Sequence, residues 1–306
     1  MKKRIAVLGI GGVGGFYGGK LAQHYSGDPQ AEIIFIAHGT HAEAISAHGL
    51  KISEGEKEIV VHPDAVTDEL SSAGIFDVLL VCVKTYSLEG AIASVRKNVN
   101  EKTAVIPLMN GIEPYELLLK EFPQAKIFRG CCYFNAYIEA PGAIRFRGGF
   151  NQVLIGFEDD VLLSSVAGIF QRAGINTFSR KDISKEVWEK FIFASAIASV
   201  GSLENDSFGQ VLEKPEKKRL LTEMLEEVIS IARAKNVFFG PGFIPGLLEK
   251  MSGYPYEART SMQLDFSLGR KTELETFTGY VVRTGRKAGV PVPSYESVYA
   301  ALKQRA

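Results

Sequence analysis

Short apolar runs alternate with helix-like segments through the first half of the chain. The runs predict strands over residues 5–8, 33–37, 77–83, 103–108 and 126–132. Between them, the spacing predicts helices over 14–25 and 88–95. Continuous apolar strands separated by helices are typical of a parallel sheet covered on both faces. From 133 to 156 the sequence predicts short antiparallel strands that extend this sheet as hairpins, with turns at Pro141-Gly142 and Gly148-Gly149.

The pattern changes near residue 180, beyond which apolar positions recur at helical spacing. Helices are predicted over residues 183–200, 216–235, 246–250, 256–268, 272–288 and 295–304. One buried face of the first of them is expected to carry Val187, Trp188, Phe191, Ile192, Ala196 and Val200. We therefore predict an α/β domain over residues 1–180, followed by an all-helical domain over residues 181–306.

A glycine-rich segment directly follows the first predicted strand. Gly9, Gly11 and Gly14 match the pattern GxGxxG, and Gly12 lies within it. In this pattern glycine permits a tight turn, close approach of the backbone to a pyrophosphate, and close packing of helix on strand. The following helix then offers its N-terminal N–H groups to the anion. We predict that these four glycines bind a dinucleotide in a Rossmann-type domain; a purely structural turn is the alternative.

The end of the second predicted strand indicates which dinucleotide is bound. A free ribose 2′-hydroxyl usually meets an Asp or Glu at this point. Here the strand ends at His38, while Glu32 begins the strand and Glu43 lies beyond the turn. The missing carboxylate favours the 2′-phosphorylated cofactor, NADPH.

Composition excludes several classes of protein. Of the 306 residues 46% are hydrophobic, which is enough for a sizeable core, and the 35 basic residues balance the 35 acidic ones. A nucleic-acid or anionic-membrane partner usually leaves a basic excess, so neither is expected.

Three cysteines without metal-ligand spacing predict no disulfide framework and no metal site. The longest apolar helical stretch, 191–200, is about half the ~20 residues of a membrane span. We expect a soluble cytoplasmic protein.

Five further motifs accompany the glycine loop in a fixed order. They are Val83-Lys84-Thr85, Met109-Asn110-Gly111, Trp188-Glu189-Lys190-Phe191, Thr260-Ser261-Met262 with Asp265, and Thr272-Glu273. With these motifs the chain resembles the ketopantoate reductases (2-dehydropantoate 2-reductases) over essentially its whole length. The resemblance implies a Rossmann domain followed by a helical domain like that of 6-phosphogluconate dehydrogenase. It also implies NADPH-dependent reduction of 2-dehydropantoate to pantoate, a step towards pantothenate.

The resemblance also implies roles for particular side chains. Lys190 matches the catalytic lysine, and an ammonium group both stabilises and protonates the alkoxide that hydride transfer creates. Glu273 matches the glutamate that orients this lysine and the substrate hydroxyl, and Ser261 matches the serine that binds the substrate carboxylate. Asn110 matches an asparagine near the nicotinamide and the substrate, and Lys84 a lysine that helps hold the 2′-phosphate. Taken alone, Glu273 is equally typical of a first-turn carboxylate that complements a helix dipole, and Asn110 is more typical of a turn before glycine. Ser261 alone is typical of a helix surface and Lys84 of a loop, whereas Lys190 precedes Phe191-Ile192-Phe193 in an apolar helix and does not fit a solvated face.

The chain departs from the family pattern at two places. His38 occupies the position where many members carry an arginine that clamps the 2′-phosphate, so weaker discrimination for NADPH is expected. Ala194, Ala198 and Ala258 stand where members often carry asparagines that hold the substrate. Another 2-keto acid is therefore an alternative substrate, and a non-catalytic NADP(H)-sensing protein is a second alternative function.

The last helices are rich in tyrosine, with Tyr280, Tyr295 and Tyr299 at helical spacing. Aromatic residues in this pattern pack in a helical core more often than they form an interface. A homodimer contact is the alternative.

Overall fold

The computed structural model describes residues 2–148 and 150–305. The chain divides into two compact units, Met1–Asn110 with Pro114–Ile183, and Gly111–Glu113 with Ser184–Ala306. The strands of the described residues are β1 (Lys3–Leu8), β2 (Ala31–Ile36), β3 (Leu50–Glu54), β4 (Lys57–Val61), β5 (Ala65–Thr67), β6 (Val78–Val81), β7 (Ala104–Pro107), β8 (Lys126–Ile127), β9 (Arg129–Tyr133), β10 (Ala136–Ala140), β11 (Ala143–Phe146), β12 (Gln152–Gly156) and β13 (Thr177–Arg180).

Helices follow or connect these strands in both units. They are α1 (Gly12–Tyr25), α2 (Gly39–His48), α3 (Leu88–Val95), α4 (Glu113–Glu121), α5 (Asp160–Arg172), α6 (Ser184–Glu204), α7 (Phe208–Glu213), α8 (Pro215–Ala234), α9 (Phe243–Ser252), α10 (Ser261–Ser267), α11 (Tyr280–Ala288) and α12 (Pro293–Lys303). Among residues 2–148 and 150–305, no helix combines the length and the apolarity needed to cross a membrane.

A six-stranded sheet forms the centre of the first unit. Its strands follow the order β5-β2-β1-β6-β7-β8, and every neighbouring pair is parallel. Counted along the chain, these six strands have the spatial order 3-2-1-4-5-6 of a doubly wound dinucleotide-binding fold. The predicted Rossmann-type α/β domain is confirmed. The order reverses between β1 and β6, which is where such sheets bind their ligands.

The prediction that residues 133–156 extend this sheet is wrong. The β10–β11 hairpin, with Gly142 in its turn, joins β3 and β4 in a separate four-stranded sheet, and β12 lies between β9 and β13 in a three-stranded one. The second predicted turn includes Gly149, which lies outside the described residues. The predicted strand over 126–132 is also interrupted, since β8 belongs to the six-stranded sheet and β9 to the three-stranded one.

Helix α1 explains why the hairpin leaves the central sheet. A β-carbon at Gly18 would lie 3.1 Å from the ring of Phe35 in β2, so one face of α1 packs tightly on the six-stranded sheet. On the other face, a β-carbon at Gly15 would lie 2.6 Å from Ile144 in β11. The small residues of α1 thus allow two sheets to approach the same helix, and the four-stranded sheet covers the face that the central sheet leaves open.

The second unit is helical, as predicted. Helix α6 runs through it, buried against α8, α12 and the residues around 275–279, where one turn is π-helical. The predicted helix over 256–268 begins only at Ser261, because Thr260 and Gln263 form a reciprocal capping box that fixes the helix start. The aromatic side chains of Tyr280 and Tyr295 are buried in this helical core, and Tyr299 packs against it.

Candidate active site

Four predicted cofactor-site residues follow adjacent strands of the central sheet. In the parallel register Leu8 pairs with both Ile36 and Val81, and Val81 pairs with Pro107. These four paired residues end their strands at one edge of the sheet, because parallel strands share their direction. The residues that come next along the chain include Gly9, His38, Lys84 and Asn110. The structure therefore brings the predicted cofactor residues to one edge, at the point where the strand order reverses.

The glycine loop combines tight packing with one open position. A β-carbon at Gly9 (φ +91°) would lie 2.6 Å from Val83, and one at Gly14 would overlap the carbonyl oxygen of Gly9. Packing therefore requires glycine at both positions. At Gly11, the N-cap of α1, a β-carbon would meet nothing within 4 Å. The open space beside Gly11, at a helix N-terminus, suits the pyrophosphate of a dinucleotide.

Gly12 has a packing role that the sequence pattern did not reveal. A β-carbon at this position would overlap the backbone carbonyl oxygen of Ala136 in β10. The start of α1 thus approaches the hairpin strand closely, and this contact alone requires glycine. Binding of the dinucleotide by Gly12 stays a prediction.

His38 and Lys84 are both exposed at this edge. His38 is the N-cap of α2, and its imidazole makes no capping hydrogen bond. Lys84 directly follows Val83, which packs beside Gly9, so the backbone at Lys84 lies close to the glycine loop. Both side chains are therefore placed where a 2′-phosphate contact is expected, and this role stays a prediction.

His41 of helix α2 is a site residue that the sequence analysis did not predict, and it links α2 to the β10–β11 turn. Its Nδ1 accepts a hydrogen bond of 3.0 Å from the backbone N–H of Gly142, in the β10–β11 turn. Burial lowers the pKa of the imidazole, and the nearby Ile10 carbonyl opposes this shift. A ring with an accepting Nδ1 is neutral. His41 thus helps hold the hairpin turn against α2.

Lys190 lies on the more open side of helix α6. Three and four residues further on, Phe193 and Ala194 are the partly exposed residues within 191–200, and the other residues of that stretch are buried. Because residues three and four apart are neighbours on a helix, Phe193 and Ala194 stand beside Lys190. A molecule that reaches the ammonium group along this side of α6 therefore meets these two side chains.

Glu273 is a buried carboxylate in the helical unit. The residue is 4% exposed, and its backbone carbonyl accepts hydrogen bonds from the N–H groups of Thr276 and Phe277. The Phe277 ring stacks on Phe191, which follows Lys190 in α6, with 6.4 Å between ring centroids. A carboxylate buried to this extent needs polar partners, so Glu273 is not a solvated surface residue. Its role in orienting Lys190 stays a prediction, beside the alternative of a carboxylate that complements a helix dipole.

Ser261 is the first residue of α10 and is exposed. The capping box of Thr260 and Gln263 fixes the backbone on both sides of it. The Gln263 amide also donates a 2.7 Å hydrogen bond to the carbonyl of Asp206 and packs against Gly201 of α6. Ser261 is thus held on a rigid support, which suits a residue that positions a carboxylate.

The three alanines differ in accessibility. Ala194 and Ala258 are partly exposed, whereas Ala198 is 2% exposed and belongs to the helical core. Ala198, one of the positions where members often carry a substrate-binding asparagine, is therefore not accessible to a substrate, because residues 195–202 of α6 are buried on every side. Substrate contact at Ala194 and Ala258 stays a prediction.

Comparison with known proteins places this geometry in a family. A family model described as ketopantoate reductase PanE/ApbA matches residues 5–159, and its C-terminal counterpart matches residues 182–306. The chain belongs to the ketopantoate reductase family. Ketopantoate reductases are oxidoreductases that act on a keto group, so the predicted family and reaction class are confirmed.

Named members of the ketopantoate reductase family match the chain from end to end. The 2-dehydropantoate 2-reductase of Aquifex aeolicus is 28% identical over 313 residues, covering 100% of this chain and 97% of its own. The crystal structure of the 2-dehydropantoate 2-reductase of Porphyromonas gingivalis W83 is 30% identical, with a TM-score of 0.86 and coverage of 99% and 100%. A D-mandelate dehydrogenase solved with NADH and anilino(oxo)acetate shares the fold at 19% identity, with a TM-score of 0.87 and coverage of 99% and 98%.

Proposed function

We propose that the chain is an NADPH-dependent reductase of 2-keto acids. The names of its relatives favour 2-dehydropantoate as the substrate, reduced to pantoate on the way to pantothenate. The observation that carries the proposal is the burial of Glu273 in the unit that also holds Lys190 on the open side of α6. A buried carboxylate and a partly exposed ammonium group supply the acid–base chemistry that a keto reduction needs.

The glycine loop supports the choice of cofactor. The open position at Gly11 leaves room for a pyrophosphate at the N-terminus of α1. His38 and Lys84 follow two strands of the same edge, and neither is a carboxylate that would bind a free 2′-hydroxyl. These features favour NADPH over NADH, although His38 lacks the permanent charge of an arginine.

The proposed reaction assigns one task to each side chain. When bound, the nicotinamide supplies a hydride to the keto carbon of the substrate. Lys190 stabilises the developing alkoxide and donates the proton that completes the hydroxyl group. Glu273 orients Lys190 and the hydroxyl, Ser261 binds the carboxylate, and Asn110 contacts the nicotinamide and the substrate. Hydride and proton together convert the carbonyl to a secondary alcohol.

Nucleotide oxidation by the purified protein tests this proposal. We expect turnover of 2-dehydropantoate with NADPH, and a lower kcat/KM with NADH. The same assay with Lys190→Ala should show no turnover, while NADPH still binds. Cofactor binding without turnover of any 2-keto acid would instead support the NADP(H)-sensing alternative and overturn the proposed activity.

A second candidate is the reduction of a different 2-keto acid. Ala194 and Ala258 offer methyl groups where a polar substrate would need hydrogen-bond partners. A buried hydroxyl without a partner costs about 1–3 kcal/mol, so these positions favour a substrate with an apolar side chain. The fold of this family also accommodates such substrates, since the D-mandelate dehydrogenase structure holds anilino(oxo)acetate.

A further inference from the structure

Three aromatic rings form a partly exposed patch beside the open side of α6. The rings belong to Phe193, Phe208 and Tyr254, which we call the aromatic patch. The Tyr254 centroid lies 5.6 Å from that of Phe193 and 5.0 Å from that of Phe208, and the latter pair is stacked. Phe208 is buried and Phe193 half-buried, whereas Tyr254 is 43% exposed. The patch thus has a buried base and an accessible rim.

We propose that the aromatic patch binds the side chain of the substrate, and that this side chain is an aromatic ring or a bulky apolar group. The inference rests on the proposed function and selects between its two candidate substrates. Phe193 lies one helical turn beyond Lys190 on the same side of α6. A keto acid whose carbonyl reaches the Lys190 ammonium therefore has its side chain within reach of this ring.

The chain between Tyr254 and Ser261 connects the patch to the proposed carboxylate site. The backbone N–H of Phe208 donates a 2.9 Å hydrogen bond to the carbonyl of Ala258, and that of Gly209 donates one of 3.0 Å to Tyr256. These bonds hold the connecting segment against the start of α7. The proposed site thus runs from Ser261 past the Ala258 methyl group to the Tyr254 ring.

The chemistry of this surface disfavours a hydroxylated side chain. Ala194 and Ala258 carry no hydrogen-bonding group in their side chains, and two of the three rings are phenyl groups. An aromatic ring offers the patch offset-stacked or edge-to-face contacts, which add to the gain from apolar burial. A substrate hydroxyl that lies over the two phenyl rings and the alanine methyl groups would lose water without gaining a partner from these side chains.

One charged group beside the patch defines the main competing substrate. The Lys250 ammonium lies 5.8 Å from the centroid of the Phe193 ring and 3.4 Å from the Glu189 carboxylate. A second carboxylate on the substrate would meet this cation, so a dicarboxylic keto acid is the alternative. The Glu189 carboxylate already partners Lys250, which is why we favour the aromatic side chain.

The test compares keto acids that differ only in their side chains. We would measure kcat/KM with NADPH for phenylglyoxylate, 2-dehydropantoate, pyruvate and 2-oxoglutarate. Phenylglyoxylate should exceed 2-dehydropantoate by about tenfold, the size of a ring contact in a partly exposed site. In Tyr254→Ala the ratio of phenylglyoxylate to pyruvate should fall about tenfold. Preference for 2-dehydropantoate or 2-oxoglutarate, or an unchanged ratio in this variant, would overturn the inference.

Controls separate a loss of specificity from a loss of folding. Phe238→Ala removes a ring that is 63% exposed in the same unit and lies outside the patch, so this variant should keep the wild-type ratio. Phe193→Ala removes a half-buried ring and should be read together with its thermal unfolding midpoint. Tyr254 is exposed at the rim of the patch, so we expect Tyr254→Ala to stay folded. This variant therefore still tests the inference if Phe193→Ala unfolds.

A binding measurement distinguishes failure of the inference from failure of the proposed function. Anilino(oxo)acetate, an unreactive aromatic oxo acid, is titrated into protein saturated with NADP⁺. Binding that weakens about tenfold in Tyr254→Ala would support the aromatic patch even if no keto acid is turned over. Absence of binding would overturn the inference, whereas turnover of 2-dehydropantoate would still support the proposed function.

Discussion

Gly12 lies so close to the backbone carbonyl oxygen of Ala136 that a β-carbon at position 12 would overlap it, whereas a β-carbon at Gly11 would meet nothing within 4 Å. The absence of a side chain therefore has a different consequence at each of these two adjacent positions. Gly12 lets a helix and a hairpin strand approach each other, and Gly11 leaves space that the fold itself does not fill.

This difference predicts opposite effects of two alanine substitutions. Gly12→Ala should lower the free energy of unfolding by about 1–3 kcal/mol, because the methyl group overpacks a rigid contact. Gly11→Ala should weaken NADPH binding, while its loss of stability as an N-cap stays below about 1 kcal/mol. Urea denaturation and fluorescence titration of both variants check the prediction. Equal loss of stability in the two variants would contradict it.

Lys190→Ala should abolish turnover and leave the dissociation constant of NADPH nearly unchanged. Removal of a proton donor and charge stabiliser costs about 10²–10⁴-fold in rate. Lys185→Ala, at an exposed position in the first turn of the same helix, is the matched control and should keep wild-type activity. Unchanged turnover in Lys190→Ala would exclude this lysine as the general acid.

His38→Arg should raise the ratio of kcat/KM with NADPH to that with NADH by about tenfold, because a permanent charge gains a strong hydrogen bond to a 2′-phosphate. The exposed imidazole makes no capping hydrogen bond, so its replacement should not disturb α2. His48→Arg, an exposed substitution in the last turn of the same helix, provides the control. The proposed contact at His38 would be refuted by an unaltered cofactor ratio.

His41 should make the stability of the protein depend on pH. Burial lowers the pKa of its imidazole below the ordinary value of 6.5, so the unfolded chain binds the proton more tightly than the folded one. The stabilising effect is complete above this value and is lost as pH falls through the lower pKa of the folded state. Protonation also removes the acceptor for the Gly142 N–H.

Urea denaturation between pH 7.5 and about 5 measures this effect. The free energy of unfolding should fall on acidification in the wild type and fall less in His41→Gln, whose amide oxygen still accepts a hydrogen bond. A variant with the same pH dependence as the wild type would show that other groups carry it.

The central sheet was predictable from the sequence because its strands are apolar runs whose residues are also buried in the fold. Strand β6, for example, is a continuous apolar run and is buried along its whole length. The departure of the β10–β11 hairpin was not predictable from its own residues, since it follows from the need to cover a second face of α1. Gly15, which packs on Ile144, lies within the predicted helix over residues 14–25, and the helical pattern alone does not show which element packs against it.

Only part of the candidate site was predictable from the sequence, for a similar reason. Motifs beside a strand end, such as Asn110, have a position that follows from the strand itself. The proposed role of Phe193 and Tyr254 depends on a contact between residues that are far apart along the chain, which neither periodicity nor spacing reveals. His41 was missed because its partner, Gly142, belongs to a hairpin whose place in the fold could not be foreseen.

The helical unit includes the short segment Gly111–Glu113, which is separated along the chain from the rest of the unit, Ser184–Ala306. Ile112 is buried in the helical core, and the Glu113 carboxylate accepts hydrogen bonds from Arg283 at 3.0 and 3.1 Å. A polypeptide that began at residue 184 would lack both groups. During synthesis these three residues emerge long before the helices that enclose them, so the core of the helical unit is complete only when both halves of the chain are present. A helical unit transferred by a single genetic crossover at residue 184 would leave the Ile112 side chain and the partner of Arg283 behind.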